Sequence, residues 1–253
     1  MTTAYWDGVA DDYDDEVFDV YASDRAGRLV RTVRRLASKS ATVTDAGCGV
    51  GRFLPRLARW FGHVHANDFS KRCLDRARRA HGDLPNVEFH DGDIAAAVRR
   101  LPRVDCVVSV NSVIAGSSAI RGRMLRAFAA HLRPGGHLVM VVPSLESVLY
   151  AEARLRQWAR RSPSAARSEA KARRARVSMA SAGALARGVV TIDGVATEHH
   201  LGEELRAGLA SLGLDVVSLT KLEYAWDTEF ARPPRGMGAP FPWDWLVVAR
   251  RSF

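Results

Sequence analysis

Cysteine is scarce in this chain, and its placement excludes two classes of small domain. Only three cysteines occur among 253 residues, Cys48, Cys73 and Cys106, and they lie far apart. They form neither a CxxC pair nor the Cys/His spacing of a zinc-ligand set. The sequence therefore predicts no disulfide framework and no metal site. It predicts instead a chain that folds around the core that its 47% apolar residues can fill.

Long apolar runs and a leader pattern are also missing. The first residues, MTTAYWDGVADDYDDE, contain neither the basic nor the apolar region of a signal peptide. No later run reaches the ~18 apolar residues that a membrane-spanning helix needs. These absences predict a cytoplasmic protein without a membrane partner.

Positive charge is absent from the start of the chain and concentrated farther along it. Residues 1–20 carry seven acidic groups and no Lys or Arg, whereas residues 150–176 carry nine basic residues within a net charge of +9. Such a basic stretch can attract RNA, an anionic membrane or an anionic substrate, but the solvated face of an Arg-rich helix has the same composition. We favour the solvated face. One hypothesis is that the acidic start docks on the arginines of 154–176.

Strand-like and helical patterns alternate from residue 24 to residue 144. Short apolar runs are followed by helical patterns of about a dozen residues, which is typical of βαβ units in a doubly wound parallel sheet. After residue 144 comes a long helical pattern, LESVLYAEARLRQWARR, and then a Ser/Ala/Arg-rich stretch that could be a loop or a cap helix. We predict an α/β fold in one domain, 1–253, with an N-terminal lid arm at 1–23, a cofactor-binding core at 24–144, a substrate-cap insertion at 145–204, and a last helix with two closing strands at 205–253.

A glycine-rich turn follows the first predicted strand in the stretch VTDAGCGVGRF. A phosphate-binding P-loop would need Lys-Ser or Lys-Thr after the glycines, and Arg-Phe stands there instead. A dinucleotide turn would need a third glycine at the place of Arg52. What remains is G-x-G-x-G, formed by Gly47, Gly49 and Gly51 and preceded by Asp45. Because glycine has no Cβ, the backbone of this turn can approach a ligand closely.

These residues resemble the first motif of the class I S-adenosylmethionine-dependent methyltransferases. Three further segments match the family in the same order: ANDFS, DGDI and LRPGGHLVMVVP. The match covers residues 24–144 and 205–253. It implies a doubly wound seven-stranded sheet, mostly parallel with the last strand antiparallel, with helices on both faces and a helical insertion after strand five. It also implies S-adenosylmethionine as the cofactor.

Within this resemblance, three carboxylates would hold the cofactor. Asp68 would hold both ribose hydroxyls, Asp93 would accept a hydrogen bond from the adenine amine, and Asp45 would face the methionine amino group. Ile94 would pack on the adenine ring, and Tyr13 would close over the methionine end. Each aspartate has an alternative role, because it could cap the neighbouring turn or helix. The complete predicted cofactor-binding set is Asp45, Gly47, Cys48, Gly49, Gly51, Asp68, Phe69, Asp93, Ile94, Asn111 and Tyr13.

The acceptor site is predicted from histidines and aromatic residues. His199 and His200 lie in the insertion, where this family commonly builds its acceptor pocket, and either could act as general base because histidine titrates near neutrality. Trp6, Tyr224 and Trp226 are predicted to bind substrate, since aromatic faces beside carboxylates suit an amine. The alternative is that these residues belong to the core or the surface.

The function implied is methyl transfer to a nitrogen or oxygen atom of a small-molecule acceptor. In-line displacement from a sulfonium depends chiefly on the alignment of the reactants, so catalytic residues leave a weak sequence pattern. Two alternatives stay open. One is an RNA methyltransferase that uses the basic stretch, although no NPPY-like motif or appended RNA-binding domain argues for nucleic acid as the partner. The other is a catalytically inactive, cofactor-binding partner subunit. Self-association into a homodimer is also left open.

Overall fold

The structure is a computed structural model that describes residues 2–161, 177–178, 181–229, 233 and 237–253. The strands, in chain order, are β1 (Thr42–Ala46), β2 (His63–Asp68), β3 (Val87–Asp91), β4 (Val104–Val110), β5 (Leu132–Pro143), β6 (Val177–Ser178), β7 (Val189–Ile192), β8 (Val195–Glu198), β9 (Leu214–Glu223) and β10 (Trp243–Arg251). The helices are α1 (Thr3–Val9), α2 (Tyr13–Glu16), α3 (Val20–Ser23), α4 (Arg28–Leu36), α5 (Leu54–Trp60), α6 (Lys71–His81), α7 (Ile94–Ala97), α8 (Ser118–His131), α9 (Leu145–Arg161), α10 (Ala182–Ala186) and α11 (Gly202–Ala210).

Seven strands form the main sheet in the order β3-β2-β1-β4-β5-β10-β9. The first five run parallel to their neighbours, and β10 runs antiparallel to both β5 and β9. The predicted seven-stranded sheet with an antiparallel last strand is therefore confirmed. The strand order reverses between β1 and β4, which is where doubly wound sheets open a crevice for ligands.

Alternate residues of the central strands feed two hydrophobic cores, one on each face of the sheet. On β5, Val139 packs into the core that contains Leu57 of α5. Its neighbour Met140 packs into the opposite core with Phe128 of α8. This alternation follows from the two-residue period of a strand, and it explains why the parallel strands are apolar on both faces.

Local signals set the boundaries of the helix that follows β2. The Ser70 hydroxyl accepts a hydrogen bond from the Cys73 amide and caps α6 at its start, and Gly82 follows its last residue. The buried face of α6 carries Cys73, Leu74 and Ala77 at helical spacing. The observed helix Lys71–His81, of sequence KRCLDRARRAH, is one of the helical patterns of about a dozen residues that the sequence predicts between strands.

The insertion after β5 is only partly helical, so the prediction of a helical insertion needs correction. Its helix α9 coincides with the predicted one, but β6, β7 and β8 form a separate three-stranded antiparallel sheet. The β7–β8 turn is Asp193-Gly194, with φ of +48° and +84°. Asp-Gly is a strong signal for a tight hairpin, and this hairpin places Thr197 in strand β8.

Two further predictions concern the stretch that follows α9 and the absence of a membrane-spanning segment. The stretch 162–176, predicted as a loop or cap helix, lies outside the described residues. Among the helices that the structure describes, none combines the length and apolar character needed to cross a bilayer.

Candidate functional site

A cavity of about 570 Å³ opens at the carboxyl ends of β1, β2 and β4, at the reversal point of the strand order. Its volume lies in the range typical of small-molecule sites. Of the predicted residues, those on its wall are Trp6, Tyr13, Gly47, Cys48, Gly49, Asp68, Phe69, Asp93, Ile94 and Asn111. Residues on the wall that the sequence analysis did not select include Phe18, Tyr21, Arg52, Ser112, Ile120, Arg123 and Met124.

The glycine turn has no space for a side chain at its three glycines, because other parts of the protein already pack against them. Gly47 has φ +79°, and a Cβ there would lie 2.5 Å from the Cβ of Ser112. Gly49 has φ +55°, and a Cβ there would overlap the hydroxyl of Tyr13. Gly51 differs, because it is not on the cavity wall and its Cβ would meet Leu54 of α5 at 2.9 Å. Two of the three glycines therefore face the cavity, and the third permits helix packing.

Asp68 joins the end of β2 to the glycine turn. Its carboxylate accepts hydrogen bonds from the amides of Gly49 and Ser70, both at 2.8 Å. Asp68 is only 7% exposed. Burial raises the pKa of this carboxyl, and the backbone hydrogen bonds oppose that shift. The capping role foreseen as an alternative is thus present. A carboxylate has about four acceptor positions, so Asp68 can still receive a diol from the cavity side.

Asp45 lies behind the glycine turn rather than on the cavity wall. It is 2% exposed, and its Oδ2 has no hydrogen-bond partner among the described residues. Burial raises the pKa of Asp45 to about 7, and the nearby Asp68 charge adds to the shift. A buried carboxyl of this kind is poised to respond to a cation that enters the cavity.

Asp93 and Ile94 lie on the cavity wall at the start of α7, where Asp93 has the helix-capping role given above as its alternative. The Asp93 Oδ1 accepts a hydrogen bond from the Ala95 amide at 2.9 Å and so caps α7. Its Oδ2 lies 3.6 Å from a guanidinium nitrogen of Arg123 on α8. Arg123 was missed by the sequence analysis, although Ile120, Arg123 and Met124 share the i, i+3, i+4 spacing of one helix face.

Asn111 follows β4 in an unusual backbone conformation. Its φ is +49°, a left-handed value that is uncommon outside glycine and concentrated at functional sites. Its side-chain amide donates to Asp244 at 3.4 Å, while its Oδ1 is buried without a hydrogen-bond partner in the described part of the chain. The hydroxyl of Tyr224 donates to the same Asp244 oxygen at 2.9 Å. Burial raises the pKa of Asp244 to about 6.

Four predicted acceptor-site residues are not on the cavity wall. His199 and His200 are buried, and their ring nitrogens lie 3.2 Å from the carbonyls of Thr197 and Val113, respectively, where an N–H would donate. Burial lowers the pKa of both to about 4. The geometry gives neither imidazole contact with the cavity, so the predicted base stays a prediction without structural support. Two aromatic residues belong to packed surroundings, since Tyr224 stacks edge-on against Phe18 and the indole of Trp226 donates to Gly238.

Cys48 and Tyr13 lie on the wall as neutral groups. Burial raises the pKa of the Cys48 thiol well above its usual value, which favours packing over nucleophilic chemistry. Burial likewise raises the pKa of the Tyr13 hydroxyl, and the Asp68 charge adds to it. The Tyr13 ring lies over Gly49, with the guanidinium carbon of Arg52 5.1 Å from its centroid.

The acidic arm docks on a different set of arginines from the one hypothesised. Asp14 pairs with Arg52 at 2.7 Å and with Arg76 at 3.2 Å, and Asp11 pairs with Arg72. In addition, the Ser70 hydroxyl donates to Asp7 at 2.6 Å. The arm is therefore held on α6 and the glycine turn, and it forms one wall of the cavity.

Because the ion pairs of the arm are exposed, we expect its docking to weaken with salt. Raising ionic strength from about 0.05 M to about 0.5 M shortens the screening length severalfold, so amide exchange in residues 2–20 should accelerate. Hydrogen exchange measured by mass spectrometry checks this, with the amides of β5 as the internal control. An Arg76→Gln variant should show a smaller salt effect, and exchange that ignores salt in the wild-type arm would contradict the expectation.

Comparison with known proteins identifies the domain that contains this cavity. Residues 43–136 match a family described as "Methyltransferase domain". This segment includes the glycine turn, Asp68, Asp93 and Asn111. The matched residues are therefore similar to a methyltransferase domain. The resemblance to methyltransferases predicted from the sequence is thereby confirmed for this segment.

Named methyltransferases are similar to part of this chain. A dTDP-3-amino-3,6-dideoxy-alpha-D-glucopyranose N,N-dimethyltransferase of Streptomyces fradiae is 32% identical over 141 residues, which are 51% of this chain and 54% of the relative. A probable cobalt-precorrin-6B C(15)-methyltransferase of Methanothermobacter thermautotrophicus is 28% identical over 112 residues, 43% of this chain and 56% of the relative. The chain thus spans about half the length of these curated relatives.

A solved methyltransferase structure shares the fold over nearly the whole chain. The 1,6-didemethyltoxoflavin-N1-methyltransferase of Burkholderia thailandensis, with S-adenosylhomocysteine and its substrate bound, superposes with a TM-score of 0.63 at 15% identity. The match covers 99% of this chain and 87% of that one. At this identity the likeness is one of fold.

Proposed function

We propose that this chain transfers a methyl group from S-adenosylmethionine to a nitrogen or oxygen atom of a small molecule. The observation that carries the proposal is the cavity at the sheet's reversal point, where two glycines of left-handed conformation and the buried Asp68 carboxylate meet. We further propose that 1–253 act as one domain, with the arm at 1–23 and the insertion at 145–204 flanking the core at 24–144 and the closing strands at 205–253.

The residues present fit this cofactor. Gly47 and Gly49 bring left-handed backbone to the cavity wall at positions where a Cβ would overlap Ser112 and Tyr13, and Asp68 offers acceptors for a ribose diol. Ile94 lies on the wall beside Asp93. It offers an apolar surface for the adenine ring, next to the Asp93 carboxylate, which can accept a hydrogen bond from the adenine amine. When bound there, the cofactor supplies an electrophilic methyl group on a sulfonium.

We assign to Asp45 the methionine ammonium, directly or through water, and this assignment predicts proton release. Because a cation favours the ionised form, it should lower the pKa of Asp45 from about 7, so S-adenosylhomocysteine should release part of a proton on binding near pH 6.5. Near pH 9 Asp45 is already ionised and the release should vanish. Calorimetric titration in buffers of different ionisation enthalpy measures it.

A matched pair of variants separates Asp45 from Asp244, another buried carboxyl near the cavity. Asp45→Asn should abolish the release, whereas Asp244→Asn should keep it. Release that persists undiminished in Asp45→Asn would assign the proton to another group.

On the acceptor side, we assign to Asn111 the positioning of an amine or hydroxyl. Asn111 lies on the cavity wall, its buried Oδ1 has no hydrogen-bond partner among the described residues, and Asp244 fixes the amide by accepting from its Nδ2. An acceptor N–H or O–H that donates to this oxygen would be oriented without proton transfer to it. The name of the Streptomyces relative, an N,N-dimethyltransferase of an amino sugar nucleotide, favours nitrogen over oxygen.

The decisive experiment is transfer of labelled methyl from S-adenosylmethionine to pools of small amines and alcohols. Label in an amine product, lost in Asp68→Ala and kept in the exposed-site variant Asp83→Ala, supports the proposal. Tight cofactor binding with no transfer to any pool would favour the inactive partner subunit instead. Label in added RNA would favour the RNA alternative, which depends on a basic stretch described only up to Arg161.

A further inference from the structure

We propose a second ligand site on this chain, a transition-metal site of the Zn²⁺ class formed by His63, His65, Glu88 and His90. We call these four residues the histidine cluster. It lies on β2 and β3, outside the cavity described above, and the sequence analysis predicted no metal ligand for it.

The sheet brings the four side chains to one face. His63 and His65 are two apart on β2, and Glu88 and His90 are two apart on β3, so each pair projects to the same side. The parallel register sets His65 opposite Glu88. Because β3 is an edge strand, this face lies at the border of the sheet.

Four of the distances between ligand atoms of the histidine cluster are close to those of a tetrahedral ligand shell. Zinc ligands about 2.0–2.1 Å from the ion lie about 3.3–3.4 Å from one another. The Glu88 Oε2 lies 3.4 Å from His63 Nε2, 3.5 Å from His65 Nδ1 and 3.7 Å from His90 Nε2. His65 Nδ1 lies 3.0 Å from His90 Nε2, and the ligand atoms of His63, His65 and Glu88 are all within 4.8 Å of one another.

The charges and exposure also suit a metal ion. Burial lowers the pKa of His65 to about 4 and lowers that of His90, so at neutral pH both are the neutral imidazoles that bind metals. The side chain of His65 is 3% exposed, whereas those of His63 and Glu88 are 43% and 57% exposed and leave a path from solvent. Three imidazoles with one carboxylate form a donor set typical of zinc.

The basic residue that acts on this cluster is directed elsewhere. Arg78 lowers the pKa of His90, but it pairs with Asp75 and its guanidinium lies over the ring of Phe89. Phe89 alternates with His90 along β3, so Arg78 packs against the opposite face of the strand.

A second group of candidate metal ligands, Glu198, His200 and Glu204, already has other interaction partners. A guanidinium nitrogen of Arg121 lies 2.8 Å from the buried Glu198 carboxylate, so a cation would have to compete with an existing charge partner. The His200 Nε2 already faces the Val113 carbonyl. We therefore assign the metal to the histidine cluster alone, and the second group provides a control.

Metal titration of the untagged full-length chain, stripped with chelator, tests the proposal. We expect calorimetry to give one equivalent of Zn²⁺ with a dissociation constant on the order of 1 μM or tighter, and Co²⁺ to give the visible absorption of a tetrahedral site. Glu88→Gln and His63→Ala change exposed side chains, and each should weaken Zn²⁺ binding by about tenfold or more. Glu204→Gln and His137→Ala should bind as the wild type does.

Two results would overturn the proposal: no stoichiometric Zn²⁺ binding to the wild type, or binding that Glu204→Gln abolishes and Glu88→Gln leaves intact. Melting curves of the metal-free variants show whether they fold. His90→Gln replaces any variant that fails this check, with the same expected loss.

Discussion

Asp68→Ala is expected to weaken binding of S-adenosylhomocysteine by about 100-fold or more. In the proposed site Asp68 accepts two hydrogen bonds from the ribose, and a hydrogen bond to a charged group contributes about 1.5–3 kcal/mol. Two such bonds correspond to about 3 kcal/mol, and every 1.4 kcal/mol is tenfold in affinity. Calorimetric titration of the wild type and the variant measures the change.

This experiment has to separate a lost hydrogen bond to the ligand from a distorted glycine turn, because Asp68 also accepts hydrogen bonds from the amides of Gly49 and Ser70. Asp68→Asn keeps one carbonyl acceptor and should fall between the wild type and Asp68→Ala. Asp83→Ala removes an exposed aspartate from the turn after α6 and should change nothing. A folded Asp68→Ala variant that binds S-adenosylhomocysteine with wild-type affinity would show that Asp68 does not bind the ribose.

Gly49→Ala is expected to loosen the arm in the absence of ligand and to lower affinity for S-adenosylhomocysteine by about tenfold or more. The new Cβ would overlap the Tyr13 hydroxyl, and the left-handed backbone adds about 1–2 kcal/mol for a non-glycine residue. Amide exchange in residues 2–21 and calorimetric titration check the two effects.

A double-mutant cycle separates the clash from the backbone term. In a Tyr13→Ala background the clash is absent, so Gly49→Ala should lower the stability of the unliganded chain only by the cost of its left-handed backbone. The methyl group of the new alanine should still crowd the ligand. Gly8→Ala is the control, since its Cβ would meet nothing within 4 Å. Equal loss of stability from Gly49→Ala in both backgrounds would show that Tyr13 does not cover the turn.

Features encoded by short segments were predictable from the sequence. The helices Lys71–His81 and Leu145–Arg161 coincide with the predicted patterns because caps and apolar spacing act within a few residues. The sheet and its cavity followed from the ordered motifs of the family, which place the glycine turn and Asp68 at neighbouring strand ends. The β7–β8 hairpin could have been predicted as well, since its Asp-Gly turn is printed in the sequence.

Contacts between distant parts of the chain were not predictable in this way. The chain has 37 Lys and Arg residues, so nothing local selects Arg52, Arg72 and Arg76 as the partners of the acidic arm. His199 and His200 were chosen for their chemistry, but packing against Thr197 and Val113 decides where their nitrogens point. The histidine cluster needs the β2–β3 register, which joins residues about 25 positions apart.

The docked arm has a thermodynamic consequence for every ligand of the cavity. Trp6, Tyr13 and Phe18 belong to a segment that exposed ion pairs help to hold on the core, and they form part of the cavity wall. A ligand that touches them binds the docked form more tightly than the open one. By linkage, the factor by which docking raises the ligand's affinity is the factor by which the ligand raises the docking equilibrium. Ionic strength, by weakening the ion pairs of the arm, therefore changes the affinity of the cavity for its ligands as well as the docking of the arm.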